Sequence, residues 1–223
     1  MSDSSVRNVL LVALTFVAGA VDATSYLGLG RVFTANMTGN MILLGLGAGR
    51  IQGLDVLRSG TAFLGFAIGA AIGARILGRT ASPEIWHRRV TVALGIETVL
   101  LGAFAVGWLW MSAEPQRPWL EALIAFSAGA MGIQSAAAQR LAVASVSTTF
   151  VTGTLTSVIT QLALFGHPTT GWPLRAGVVL ALTLGAGADA VVLLHAPVLA
   201  PLVPLLALAA VAGTAARRFS SAK

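Results

Sequence analysis

Long uncharged apolar stretches alternate along the chain with short segments that hold most of its charge, proline and glycine breaks. Eight apolar runs emerge, at 8–29, 32–49, 61–78, 90–111, 119–140, 149–165, 176–194 and 198–216. Each approaches the roughly 20 residues that cross a hydrocarbon layer about 30 Å thick as a helix. Their Gly, Ala and Leu content favours helices, and the alternating segments of about ten residues that would mark a barrel are missing. The pattern predicts an all-α, polytopic transmembrane bundle. The first run follows Arg7 and ends near Ala18, Gly19 and Ala20, in outline like a cleavable signal peptide. Its residues recur in the second half, so it is read as a permanent span.

That recurrence is an internal repeat. FVAGAVDATS at 16–25 aligns with FSAGAMGIQS at 126–135, MTGN at 37–40 with VTGT at 151–154, and LRSG at 57–60 with LRAG at 174–177. Two halves of one membrane domain, 1–112 and 113–223, would then carry four apolar segments each. If all eight cross, Arg and Lys divide eight against six between the two faces. If the second and sixth dip in and return, the division is ten against four, a clearer positive-inside bias with both termini cytoplasmic. The local sequence allows the second form, because a limb at 32–35 leads to a polar knot at 36–40 and then to a half-helix at 41–49. It also allows the first, since 32–49 is about 27 Å long as a helix. Six to eight crossings are therefore expected.

Composition supports the membrane setting. Apolar residues make up 56% of the chain and charged ones 10%, and mean hydropathy is +0.85. A net charge of +6 comes from arginines between the apolar runs, which fits membrane loops and not a nucleic-acid face. Without cysteine there is no thiolate metal site or nucleophile. All five tryptophans lie near segment edges and are expected to anchor at the interface.

Three carboxylates fall inside apolar runs. Mid-membrane an aspartate costs roughly 2.5 to 3.5 kcal/mol, so such groups usually face a bundle interior or water. Asp22, followed by Thr24 and Ser25 and aligned with Gly132, is the leading functional candidate; Glu97 and Asp189 are expected to be structural or to snorkel. The second constellation joins Asn36, Thr38, Gly39 and Asn40 to Thr148, Thr149, Thr152, Gly153 and Thr154. Asn and Thr at helix starts accept bonds from unsatisfied N–H groups, and Gly permits the turn. Two such starts facing each other would aim positive dipole ends at a small polar or anionic solute. The alternative is plain helix–helix bonding, at about 0.6 kcal/mol per bond. Gln134 and Ser135, aligned with Thr24 and Ser25, are candidates for the same path.

Other signals carry no chemistry. The glycines at 45, 47 and 49 lack the strand and Lys-Ser/Thr of a nucleotide loop. Gly65, Gly69 and Gly73, like Gly177, Ala181 and Gly185, are spaced for close helix approach and could also support a homo-oligomer. His87, His167 and His195 have no second ligand at metal spacing, and no hydrolase elbow is present. No cofactor, metal or catalytic residue is expected.

The order of Asp22 within AGAVDA, Thr38-Gly39-Asn40, then AMGIQS and STTFVTGT at 147–154 resembles the YoaK-like family of bacterial inner-membrane proteins, a domain of unknown function. The resemblance covers nearly the whole chain and implies a multi-pass inner-membrane location, with no established substrate. The expectation is a small secondary transporter or channel for a small polar solute or ion; the alternative is a non-transporting membrane scaffold or assembly partner.

Overall fold

Backbone amides inside lipid have no water to bond, so a spanning segment satisfies them within its own helix. The computed structural model follows this rule. It describes residues 2–49, 55–78, 85–111, 119–141, 151–165 and 171–219. Eight α-helices appear among them: α1 (Asp3–Gly28), α2 (Met37–Ala48), α3 (Val56–Leu77), α4 (Arg88–Trp110), α5 (Trp119–Leu141), α6 (Val151–Phe165), α7 (Trp172–His195) and α8 (Leu202–Phe219), the last entered through a 3-10 turn at Pro197–Leu199. Helix starts use the expected caps: Ser2, Asn36 and Asp55 accept from Ser5, Gly39 and Leu57 amides, while Gly171 at positive φ precedes Pro173 in α7.

Among the described residues six helical segments are long and apolar enough to cross a membrane: α1, α3, α4, α5, α7 and the Pro197–Phe219 segment that ends in α8. Helix α2 has 12 residues and α6 has 15, about 18 and 23 Å, short of the hydrocarbon thickness.

Contacts between helices fix their directions. Asp3 at the start of α1 pairs with Arg218 at the end of α8 at 2.8 Å, so these two run oppositely. Trp86 stacks on Phe219 with ring centroids 5.1 Å apart, and Trp108 donates to the Pro197 carbonyl at 2.9 Å, which opposes α4 to α8. Gly107 packs against Leu123, and Leu100 against Gly129, opposing α4 to α5. By contrast Gly65, Gly69 and Gly73 meet Ala125, Gly129 and Ile133 in order, so α3 and α5 are parallel. Gly177 on Val12, Gly185 on Phe16 and Asp189 on Thr24 make α1 and α7 parallel as well. Thus α1, α4 and α7 point one way and α3, α5 and α8 the other.

This alternation decides the path of the short helices. With α1 and α3 opposed, the chain between them enters and leaves at one end of the bundle; α5 and α7 confine α6 in the same way at the opposite end. The 32–49 segment re-enters, and eight straight spans are not what the chain forms.

The two parallel pairs are seams of backbone on backbone. A Cβ at Gly69 would fall on the Gly129 carbonyl, and one at Gly185 on the Phe16 carbonyl. Gly65, Gly69 and Gly73 therefore serve close packing as expected. The tryptophans divide. Trp110 and Trp119 are exposed at helix ends and suit interface anchoring, but Trp86 and Trp108 are buried, held by the contacts above, so anchoring does not describe all five.

In this cysteine-free chain, single cysteines at Ser4 and Gly49 will be labelled by an impermeant thiol reagent from opposite sides of sealed vesicles. Labelling of both from one side would mean that the 29–49 segment crosses.

Candidate functional site

Between α1 and α2 the chain leaves helical geometry. Gly30 and Arg31 turn it at positive φ, and residues 32–36 run back into the bundle. Their amides then lie within the protein with no helical partner, which at membrane depth costs several kcal/mol per group unless another acceptor is found. Asp22 supplies it. One carboxylate oxygen accepts from the amides of Thr34 at 2.9 Å and Ala35 at 2.8 Å, and the other from Asn36 at 3.1 Å. Three successive N–H groups converge on one carboxylate, a nest in side-chain form.

Further bonds hold the limb. Asn40 accepts from the Phe33 amide at 2.9 Å and returns its own amide to the Phe33 carbonyl. Thr34 and Ser127 share a hydroxyl bond at 2.8 Å, tying the limb to α5, and Phe33 stacks on Tyr26 at 4.9 Å. Asn36 caps α2 by accepting from Gly39 at 3.3 Å.

Beside this limb lies a cavity of about 240 Å³. Helix α1 contributes Ala18, Gly19 and Asp22; the limb contributes Phe33, Ala35 and Asn36; α6 contributes Val151 and Thr152; α7 contributes Leu182 and Ala186. Its volume is below the ~300 Å³ at which drug-sized pockets begin. Polar groups come from Asp22, Asn36 and Thr152. Among the described residues no cationic side chain lies in the wall. The starts of α2 and α6 both reach the cavity, although the chain arrives at them from opposite ends of the bundle. Two positive dipole ends thus border one small space.

The expected constellation is gathered only in part. Asp22, Asn36 and Thr152 line the cavity together. The backbone-bonded alternative for Asp22 is also what is found, so this carboxylate holds the limb and borders the cavity at once. Ser25 is buried and donates to the Asp22 carbonyl at 3.2 Å. Asn40 is the clasp described above, and Thr38 is exposed beyond the cavity. Gly39 packs under the Phe33 ring, where a Cβ would approach to 2.9 Å. Gln134 does not line the path: it is buried and donates to the Leu14 carbonyl at 3.0 Å across the α5–α1 contact. Ser135 and Thr154 are buried away from the cavity wall, and Gly153 is exposed. Thr148 and Thr149 lie outside the described residues.

Of the structural and snorkelling roles expected for Glu97 and Asp189, the snorkelling one is not found. Glu97 is fully buried at the tenth residue of α4, with no donor on either oxygen among the described residues. Asp189 is fully buried on α7 and accepts from the Thr24 hydroxyl at 2.5 Å. The Thr24–Asp189 pair was not foreseen as a pair, since its members are 165 positions apart. Only a strand of logic through the parallel α1–α7 seam would have joined them. The small residues Ala18 and Gly19, which line the cavity, were visible in the repeat but were not read as a wall.

A bundle of six membrane-length segments with two short helices starting at one cavity defines a polytopic helical membrane protein. Comparison with known proteins narrows this. The family model described as "Protein of unknown function (DUF1275)" matches residues 10–214, so the chain belongs to that family. It is also 40% identical over 163 residues to "UPF0700 transmembrane protein YoaK" of Bacillus subtilis (strain 168), covering 73% of this chain and 70% of that protein. No solved structure matches it.

Replacing Asp22 with Ala removes the acceptor of three amides. Each buried donor left unpaired costs about 1 to 3 kcal/mol, so the variant will unfold at lower temperature in detergent, with faster amide exchange across 33–40. Asp22→Asn, which keeps one acceptor oxygen, will show a smaller change. Unaltered exchange in Asp22→Ala would remove Asp22 as the limb's anchor.

Proposed function

We propose that this protein is a small secondary transporter or channel for a small polar solute or ion, with the cavity bounded by Asp22, Asn36 and Thr152 as its site. One observation carries the reading: two half-length helices, reached from opposite ends of the bundle, begin at the same cavity. Such helices aim the positive ends of their dipoles at a solute held between them. A cavity of this size suits a solute of few atoms.

The same reading includes a duplication of inverted halves. It is supported by the exchange of partners, in which α1 lies on α7 while α5 lies on α3, each through small residues. Both termini are cytoplasmic in this proposal, a reading supported by the basic residues among the described ones, of which the helix directions put eight at the face of the termini and two, Arg31 and Arg58, at the other. The membrane is then the bacterial inner membrane. The chain acts on its solute by binding and release, without catalysis, and nucleic acid is not a partner.

Reconstitution into liposomes with a screen of labelled small solutes tests the site. Thr152→Val and Asn36→Ala each remove one hydrogen-bonding group worth about 0.5 to 1.5 kcal/mol, so half-saturation for the solute carried will rise about 2- to 10-fold. Asp22→Asn will lower the flux. If Asp22→Asn and Thr152→Val leave every detected flux unchanged, the site is wrong.

A second reading, an assembly partner or homo-oligomer, draws on a different observation. Gly95 and Gly102 on α4 face open space, flanked by exposed Val99 and Val106. Such a face allows close helix approach. Gly95→Ile with Gly102→Ile will convert any oligomer seen in lipid nanodiscs to monomer; an unchanged mass would assign the glycines no such role.

A further inference from the structure

The Thr24–Asp189 pair sits on the seam between α1 and α7, beside the cavity but outside its wall. Thr24 is two residues beyond Asp22, and Asp189 is one turn beyond Ala186, so both helices that carry the pair also wall the cavity. The two carboxylates differ in their surroundings. Asp22 has both oxygens committed to backbone amides. Asp189 is fully buried, and only its Oδ2 is engaged; no donor reaches Oδ1 among the described residues.

From this geometry we infer that Asp189 is a proton-binding site, and that the proton it takes up and releases is the ion coupled to the solute cavity. The inference rests on the transport reading above and adds to it the identity of the coupling ion. The exchange is simple in atoms: one proton from water joins Oδ1, and the same proton later returns to water, with no bond of the solute made or broken. Charge is thereby added to or removed from a buried position on the α1–α7 seam. Protonated at Oδ1, the carboxyl becomes a donor at that oxygen while Oδ2 still accepts from Thr24; ionised, it can only accept. That change acts on two helices whose backbones touch at Gly19 and Gly185, so little slack lies between the pair and the cavity wall.

The neighbourhood has few other titrating groups. Helix α1 brings Asp22 and Tyr26 near Thr24, and the limb brings Arg31, exposed at the bundle end. Among the described residues α6 and the 3-10 turn carry none. Helix α8 has Arg217 and Arg218 at its far end, by the start of α1. On α7 itself, Arg175 lies near the opposite end, and His195 lies six residues on with Nδ1 2.8 Å from the Val191 carbonyl.

Infrared difference spectroscopy of the full chain in lipid nanodiscs, followed through a pH titration, reads the site directly. The protein will show a protonated-carboxyl band that titrates; Asp189→Asn will lose one carboxyl from that band, and Asp22→Asn will keep it. Thr24→Val, nearly isosteric, will displace the midpoint by on the order of one pH unit, the effect of one hydrogen bond. If Asp189→Asn titrates like the parent, or if it fails to fold and Thr24→Val leaves the midpoint unmoved, the inference is overturned. The readout needs no solute. An Asp189 band that persists while the cavity variants leave flux unchanged would sink the solute site and sustain proton binding.

Discussion

Backbone amides that leave a helix within the membrane need an acceptor, and the architecture around the cavity follows from how this chain provides one. Residues 32–36 could not stay in the bundle with free N–H groups, since each would cost several kcal/mol in hydrocarbon. Asp22 answers that demand with a single carboxylate shared by Thr34, Ala35 and Asn36. The cost of burying a carboxylate and the cost of breaking a helix offset each other. Because the limb is held at that depth, α2 begins inside the bundle and returns to the end from which it came. Remove those bonds, and three amides of the limb lose their acceptor, leaving it to the Asn40 clasp, the Thr34–Ser127 bond and the Tyr26 stack.

The second constraint is the seam. Helices can approach until carbonyls meet α-carbons only where side chains are nearly absent, as at Gly69 on Gly129 and Gly185 on Phe16. These contacts fix two parallel pairs, α1 with α7 and α3 with α5. The seams by themselves suit six spans or eight; the opposition of α4 to α8, through Trp86 on Phe219 and Trp108 on Pro197, is what sets α1 against α3 and makes the chain turn back at α2 and α6.

Much of this was legible in the residues. Apolar run length marked the helices, and the polar knot at 36–40 marked the place where one of them restarts, because Asn and Gly at that point cap and turn a chain whatever surrounds them. Position in three dimensions was less legible. Gln134 aligns with Thr24 and was placed on the path, yet its side chain crosses to the Leu14 carbonyl, because α5 is buried on nearly every side. Asp189 near a helix end reads as a snorkelling group until the parallel seam brings Thr24 to it. Trp108 reads as an anchor until the 3-10 turn offers the Pro197 carbonyl. In each case the deciding partner lies far along the chain, where local pattern says nothing.

The aligned positions of Asp22 and Gly132 show why the two halves do not behave alike. At Asp22 the neighbouring chain is a limb with amides to satisfy, and a carboxylate fits. A Cβ at Gly132 would run into the Phe66 carbonyl and the Ala70 amide of α3, so even alanine would push the seam apart. A carboxylate there would have no room, and α3 offers no free amides in its helical interior to receive it. Asymmetry between the halves thus follows from packing before any function is assigned. In the duplication proposed above, the two aligned positions serve different ends: an acceptor for the limb at Asp22 and a close helix contact at Gly132. That leaves Asp22 as the carboxylate in the cavity wall and places the next nearest buried one, Asp189, on the facing helix of the same pair.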